Sequence, residues 1–229
     1  NQLFLGFNYQ SLGRVGTDLT ANFQVGNSFS GVMLDARTFL QTTIPTYLSL
    51  QGVFSDKRYS ESQSLFYEDV VPAIIKQKEL FLRMKLGFPF LNQAKAEIGL
   101  TYGRLNDNYL QSSSISFANA SFDHSWYDYF AGSLSLEQNS LDDRLYATEG
   151  KQLFMTAQYV TGKENFTPSP TSGDALSPVW SKTHSWIQFK GRWKSFHTYT
   201  NHFNMGYLSE SVLSSKNLMS NYTASVLQA

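Results

Sequence analysis

The chain has 229 residues, with 18 Lys+Arg balanced by 18 Asp+Glu and no cysteine. Zero net charge argues against a nucleic-acid binder, whose surface is normally basic, and the lack of cysteine excludes disulfides, thiolate metal sites and a thiol nucleophile. Only 16% of residues are charged while 15% are aromatic, a mixture that suits pleated strands.

The dominant pattern along the chain has period two, the signature of strands with one apolar and one polar face. It predicts ten strands, near 2–10, 17–26, 31–41, 46–59, 75–89, 93–105, 125–140, 151–164, 184–196 and 201–213. In the second, Leu19, Ala21, Phe23 and Val25 alternate with Asp18, Thr20, Asn22 and Gln24. In the fifth, Leu80, Leu82, Met84, Leu86 and Phe88 oppose Glu79, Phe81, Arg83, Lys85 and Gly87. The sixth sets Ala94, Ala96, Ile98, Leu100 and Tyr102 against Lys95, Glu97, Gly99, Thr101 and Gly103. The ninth sets Ile187, Phe189, Gly191 and Trp193 against Gln188, Lys190, Arg192 and Lys194. No stretch approaches the ~20 apolar residues of a membrane helix, which says nothing about a membrane sheet, because alternating strands hide from hydropathy averages.

The predicted connections sort by parity. Short ones fall at 11–16, 41–45, 89–92 and 197–200; long polar ones fall at 60–74, 106–124 and 165–183, the last punctuated by Pro168, Pro170, Gly173 and Pro178. Each side has one exception, the short connection at 26–30 and the longer one at 142–150. Outer-membrane barrels pair short periplasmic turns with long extracellular loops, and a soluble sandwich has no reason to sort its loops this way. Aromatics also gather near predicted strand ends (Tyr9, Phe39, Tyr59, Phe88, Phe90, Tyr102, Trp126, Tyr127 and Trp193), as in the girdles at membrane interfaces. The fold expected is therefore all-β, an antiparallel transmembrane β-barrel present in part, with residues 1–229 as one barrel segment. The charged residues Arg83, Lys85, Lys95, Glu97, Lys190, Arg192 and Lys194 then face a wet lumen, either simply solvated or docking an inserted loop. A soluble β-sandwich binding module would show the same alternation and stays open as an alternative.

The run Asn139-Ser140-Leu141-Asp142-Asp143-Arg144-Leu145-Tyr146-Ala147-Thr148-Glu149-Gly150 resembles a periplasmic turn of the Omp85 superfamily of bacterial surface antigens, in which an Asp is followed by Pro five and Gly eight positions on. Asp142 and Gly150 match, and Ala147 stands in the usual Pro position. The run from Leu153 to Pro168 and the run Ser220 to Ser225 are similar to the C-terminal barrel of Bacteroidetes patatin-like phospholipase proteins. The resemblance implies strands 2–11 of a sixteen-stranded barrel in the bacterial outer membrane. Its partners would be outer-membrane lipid and a covalently linked N-terminal domain, either a patatin-like hydrolase or periplasmic repeats. It also implies a role in anchoring or exporting that hydrolase, with an outer-membrane assembly or translocation factor as the alternative.

No catalytic, cofactor-binding or metal residues are expected in the chain itself. A patatin hydrolase needs a Gly-x-Ser-x-Gly elbow, which is missing; Ser172-Gly173-Asp174 sits in a proline-rich connection. His197 and His202 are close enough in sequence to suggest a metal pair, but flanking a turn at a membrane edge explains them more simply.

Overall fold

In the computed structural model, residues 2–13, 15–61, 64–65, 68–69, 73–91, 93–110, 122–143, 145–169, 178–200, 203–217 and 219 are described. They form strands and connections, with no helix among them. The strands are β1 (Gln2–Ser11), β2 (Thr17–Gly26), β3 (Phe29–Leu40), β4 (Thr46–Glu61), β5 (Ser64–Leu65), β6 (Glu68–Asp69), β7 (Ala73–Leu91), β8 (Ala94–Leu110), β9 (Asp123–Asn139), β10 (Gly150–Thr167), β11 (Trp180–Thr200) and β12 (Phe203–Ser214). All but the two-residue pair β5–β6 join one antiparallel sheet in sequence order, β1-β2-β3-β4-β7-β8-β9-β10-β11-β12. Each strand pairs with its neighbour in the chain, so the sheet is a meander of hairpins. Its two outer strands, β1 and β12, each pair on one side.

The ten long strands are the ten read from the sequence, several of them longer than expected. β8 runs through Leu110 and β11 extends from Trp180 to Thr200, so residues assigned to the connections at 106–124, 165–183 and 197–200 are partly paired in the ladder. A membrane span takes only about 9–11 strand residues. The additional pairs lie toward the strand ends, where polar residues such as Asn106 and Asp107 occupy both faces and the period-two signal fades. Pro89 sits at the end of β7, where the register slips between Pro89 and Leu91; a proline that cannot donate is tolerated at such an irregularity.

The two faces of the sheet have opposite chemistry. One face carries Leu82, Ile98, Leu134 and Phe189, each about half exposed. The other carries Ser49, Thr101, Asp107, Asp123, Ser125 and Glu164, all buried. Among the described residues, buried polar side chains outnumber buried apolar ones, the reverse of a water-soluble domain. A flat single sheet would expose both faces alike. Occlusion of one face shows that the sheet curls, with the polar side chains on the concave wall. Contacts that skip a strand confirm the curl: Tyr47 on β4 donates to Glu97 on β8 across β7, and Tyr127 on β9 stacks on Trp186 of β11 across β10, centroids 5.9 Å apart. Glycines on the skipped strands make room, since Tyr47 lies over Gly87 and Tyr127 over Gly162 where a Cβ would stand.

Two of the aromatics expected in a girdle belong to the concave wall instead. Phe39 packs against Gly16 and Tyr47, and Tyr127 lies between Tyr129 and Trp186. Trp126 and Tyr127 are adjacent, so strand geometry sends one outward and the other inward.

Candidate functional site

The concave wall holds two polar clusters, one near each end. The first is built from the charged positions of β7 and β8. Across the β7–β8 ladder Lys85 lies opposite Gly99 and Glu97 opposite Gly87, so the two side chains meet over a pair of glycines. Lys85 Nζ is 3.1 Å from Glu97 Oε2, and Lys95 Nζ lies 3.8 Å from Glu97 and 2.9 Å from Glu137 on β9. Tyr47 also donates to Glu97, and the guanidinium of Arg37 sits 5.0 Å over the Tyr47 ring. Arg83 donates from Nε to Thr101 Oγ1 at 3.2 Å. Arg83, Lys85, Lys95 and Glu97 are thus brought together on one wall. Lys190, Arg192 and Lys194 share that face on β11 but form a separate column. Arg192 pairs with Glu210 of β12 at 2.9 Å, Lys190 lies opposite Thr156 and Val212, and Lys194 lines a cavity of about 590 Å³ beside the 140–149 connection.

The second cluster was not anticipated. Glu164, almost fully buried on β10, accepts from Ser125 Oγ of β9 at 2.9 Å, and its other oxygen lies 2.8 Å from His184 Nε2 of β11. Tyr109, Phe166 and Trp180 close this end with an apolar plug. Asp123 accepts from the backbone N–H of Ser169 at 2.7 Å, tying the connection after β10 to the wall. The serine bonds the carboxylate and not the imidazole, so the trio does not have the order of a hydrolytic triad. The chain beyond β12 then turns into this region. Ser215 exchanges hydrogen bonds with Ile187, and Lys216 Nζ lies 5.3 Å over the Trp186 ring. Burial pushes the Lys216 ammonium pKa down, while the carboxylates of Asp107 and Glu164 act in the opposite sense. Glu164 and His184 stood at the limits of predicted strands; continuing the period-two phase of β10 from Gln158 and of β11 back from Gln188 places both inward.

The 140–149 connection is held by Asp142. Its carboxylate accepts from the Thr148 hydroxyl at 2.6 Å and from the backbone N–H groups of Thr148 and Glu149 at 3.0 and 3.1 Å. These donors hold its pKa down at about 2 against an ordinary 3.8. A depressed carboxylate stabilises the turn above the unfolded value, and that contribution is lost as pH falls from about 4 toward 2. Asp143 caps the next bend through the N–H groups of Leu145 and Tyr146. Gly150 enters β10 at φ +105°, and a Cβ there would collide with the Ser140 carbonyl. Thr198 of β11 donates to the Thr148 carbonyl at 3.2 Å and anchors the turn to the sheet.

Two expected outcomes follow. Asp142→Ala should speed amide exchange of Thr148 and Glu149 by roughly tenfold, because the charge-assisted acceptor is gone; unchanged exchange would remove Asp142 from this role. Gly150→Ala should cost about 1–3 kcal/mol in a denaturant midpoint, the usual cost of a side chain forced into a disfavoured backbone region.

Among the described residues, no three His, Asp or Glu side chains are grouped as metal ligands. His197 bonds Ser195 at 3.0 Å. His202, Ser172-Gly173-Asp174 and the run from Ser220 to Ser225 lie outside the described residues.

Comparison of the sequence with known protein families and with curated proteins finds no match in either. Among solved structures, the chain is similar to BamA from Haemophilus ducreyi lacking POTRA domains 1–3, at 16% identity and a TM-score of 0.47 over 85% of this chain. The chain spans 41% of the length of that structure.

Proposed function

We propose that this chain is a stretch of the wall of a bacterial outer-membrane β-barrel of the Omp85 type, whose role is to anchor or export an attached patatin-like lipid hydrolase and which does no chemistry itself. The observation that carries the membrane reading is the inversion of the sheet, apolar outside and polar within. A bilayer tolerates sheets only when the edges are closed, so the outer edges of β1 and β12 are paired in the assembled barrel, with one another or with other strands.

The outline of the apolar face supports this reading. Phe54 and Leu80 are apolar on the row that continues through Arg104, Asp128 and Lys163. One row down, Tyr102 and Phe130 are apolar but Thr161 and Ser185 are not; on the next, Leu100, Tyr159 and Ile187 are. The boundary descends about one residue per strand. With a rise of ~3.3 Å per residue and ~4.8 Å between strands, it lies flat only if the strands lean by roughly 35°, the tilt of membrane barrels. The Omp85 assignment rests on Asp142 and Gly150, whose geometry gives the turn motif a physical reason. The inward segment after β12 fits a lumen occupied by an extracellular loop.

Because the chain lacks cysteine, single cysteines along β8 test the membrane reading. In outer-membrane fractions, the inward positions 95 and 105, which are not buried, should react with an aqueous maleimide while the outward positions 98, 100 and 102 are reached only by a lipid-phase reagent. Uniform labelling would end the membrane reading. The attached domain is tested on the full-length protein: a Gly-x-Ser-x-Gly hydrolase preceding the barrel supports anchoring, whereas periplasmic repeats alone would replace that role with assembly or translocation.

A further inference from the structure

On the convex face the apolar wall has a dent. Gly52 of β4 lies opposite Leu34 of β3 and Leu82 of β7, and nothing stands within 4 Å of the place its Cβ would take. The missing side chain leaves a groove of about 450 Å³ whose lining includes Leu34, Phe54, Leu80, Leu82 and Tyr102 and ends at Arg104. Arg104 and Lys78 rise on the long-connection side of this groove, Arg104 directly across from Leu80 and Lys78 one outward position beyond Leu80 on β7. Their side chains are more than half exposed. Arg104 is forked onto Asp128 at 2.5 and 3.0 Å, which leaves part of its guanidinium free to donate. Lys78 is only loosely matched by Asp56, at 3.9 Å. With Arg58, Lys76 and Lys163 on the same outward face, five cations stand against the carboxylates of Asp56 and Asp128, an excess of three positive charges at the upper edge of the apolar band.

We propose that this groove is a specific site for a phosphorylated lipid of the outer leaflet, one acyl chain lying over Gly52 and the phosphate received by Lys78 and Arg104. An apolar trough ending in a cationic rim fits an amphiphile with a long tail and an anionic head, and Arg and Lys are the side chains suited to phosphate. The proposal rests on the membrane reading above, since it needs this end of the strands to lie in the outer leaflet. Gly52 then has a purpose beyond the strand it weakens: it leaves open the space the chain fills.

The test uses the protein in detergent micelles, with bis-phosphorylated lipid A as probe and bound lipid counted by native mass spectrometry. Dephosphorylated lipid A should bind about tenfold more weakly or worse, matching the loss of charge-assisted contacts, and inorganic phosphate should not displace the lipid. Gly52→Leu, which fills the groove with a side chain at home in hydrocarbon, should weaken binding about tenfold. The double variant Lys78→Gln/Arg104→Gln should do the same. Gly132→Leu fills another bare position of the same face, away from the cations, and should change nothing. Binding indifferent to phosphate, to Gly52→Leu or to the double variant overturns the proposal, as does an equal loss in Gly132→Leu. If a variant misfolds, the phosphate comparison on the unaltered protein still decides. Loss of the alternating β8 labelling would instead bring down the membrane reading, whatever the lipid result.

Discussion

Glu164→Ala is expected to destabilise the sheet by about 2–6 kcal/mol, since two buried groups, the Ser125 hydroxyl and the His184 ring nitrogen, each lose their partner at a cost of about 1–3 kcal/mol. Glu164 joins three strands at one point: Ser125 of β9 and His184 of β11 meet its two oxygens. Removing the carboxylate leaves the serine hydroxyl and the His184 Nε2 facing each other's vacated acceptor in a space closed by Tyr127 and Trp186. His184 Nδ1 is already buried without a hydrogen bond, so the imidazole has no second contact to fall back on. Glu164→Gln keeps an acceptor for His184 and should cost only about 1 kcal/mol, the worth of an ordinary hydrogen bond. The measurement is the urea midpoint of the protein in micelles, with each variant compared at equal detergent. A midpoint for Glu164→Ala within 1 kcal/mol of the parent would mean that water replaces the carboxylate freely, and that this end of the concave wall is open.

The ten strands and their faces were legible because every one of them had to keep one side apolar. Where that requirement holds, as from Leu80 to Phe88 or Ala94 to Tyr102, the alternation is continuous and the register follows it. Where it lapses, the sequence goes quiet: Asn106, Asp107 and Asn108 pair in β8 although both faces there are polar. β12 is a weaker case of the same kind, with Ser209 and Ser211 turned to the apolar side and Leu208 and Val212 to the polar one; pairing with Trp193 and Gly191 fixes its faces. The charged residues of β7 and β8 were found because they interrupt an apolar rhythm in mid-strand. Glu164 and His184 were passed over because each stood as the terminal residue of its predicted strand, beside polar connections where a side chain's face was not read. Lys216 was out of reach, since its place over Trp186 depends on the chain turning inward after β12, which no local pattern announces. The turn motif was legible as letters, and its reason became physical only with the carboxylate bonds of Asp142 and the positive φ of Gly150.

Ile98→Arg is the second large effect expected, about 2–4 kcal/mol for a cation at mid-depth on a lipid-facing strand. Ile98 sits between Leu86 and Leu134 across the ladder, all three outward and exposed, with apolar rows on either side, so an arginine there cannot reach an interface without dragging its strand. Gln158→Lys supplies the contrast. Gln158 lies on the concave side of β10 opposite Gln188, where the new ammonium meets a polar wall that also carries Glu79, and the cost should stay under about 1 kcal/mol. The two variants differ in the face that receives the charge more than in the charge itself. A soluble β-sandwich would seal the apolar face in a core and would also penalise Ile98→Arg, but only a lipid-facing strand lets the penalty fall to about 0–1 kcal/mol toward the interface, at Tyr102→Arg. Refolding midpoints of Ile98→Arg, Tyr102→Arg and Gln158→Lys into bilayers therefore separate the two architectures, and equal midpoints for the two arginine variants would count against a sheet that stands between lipid and water.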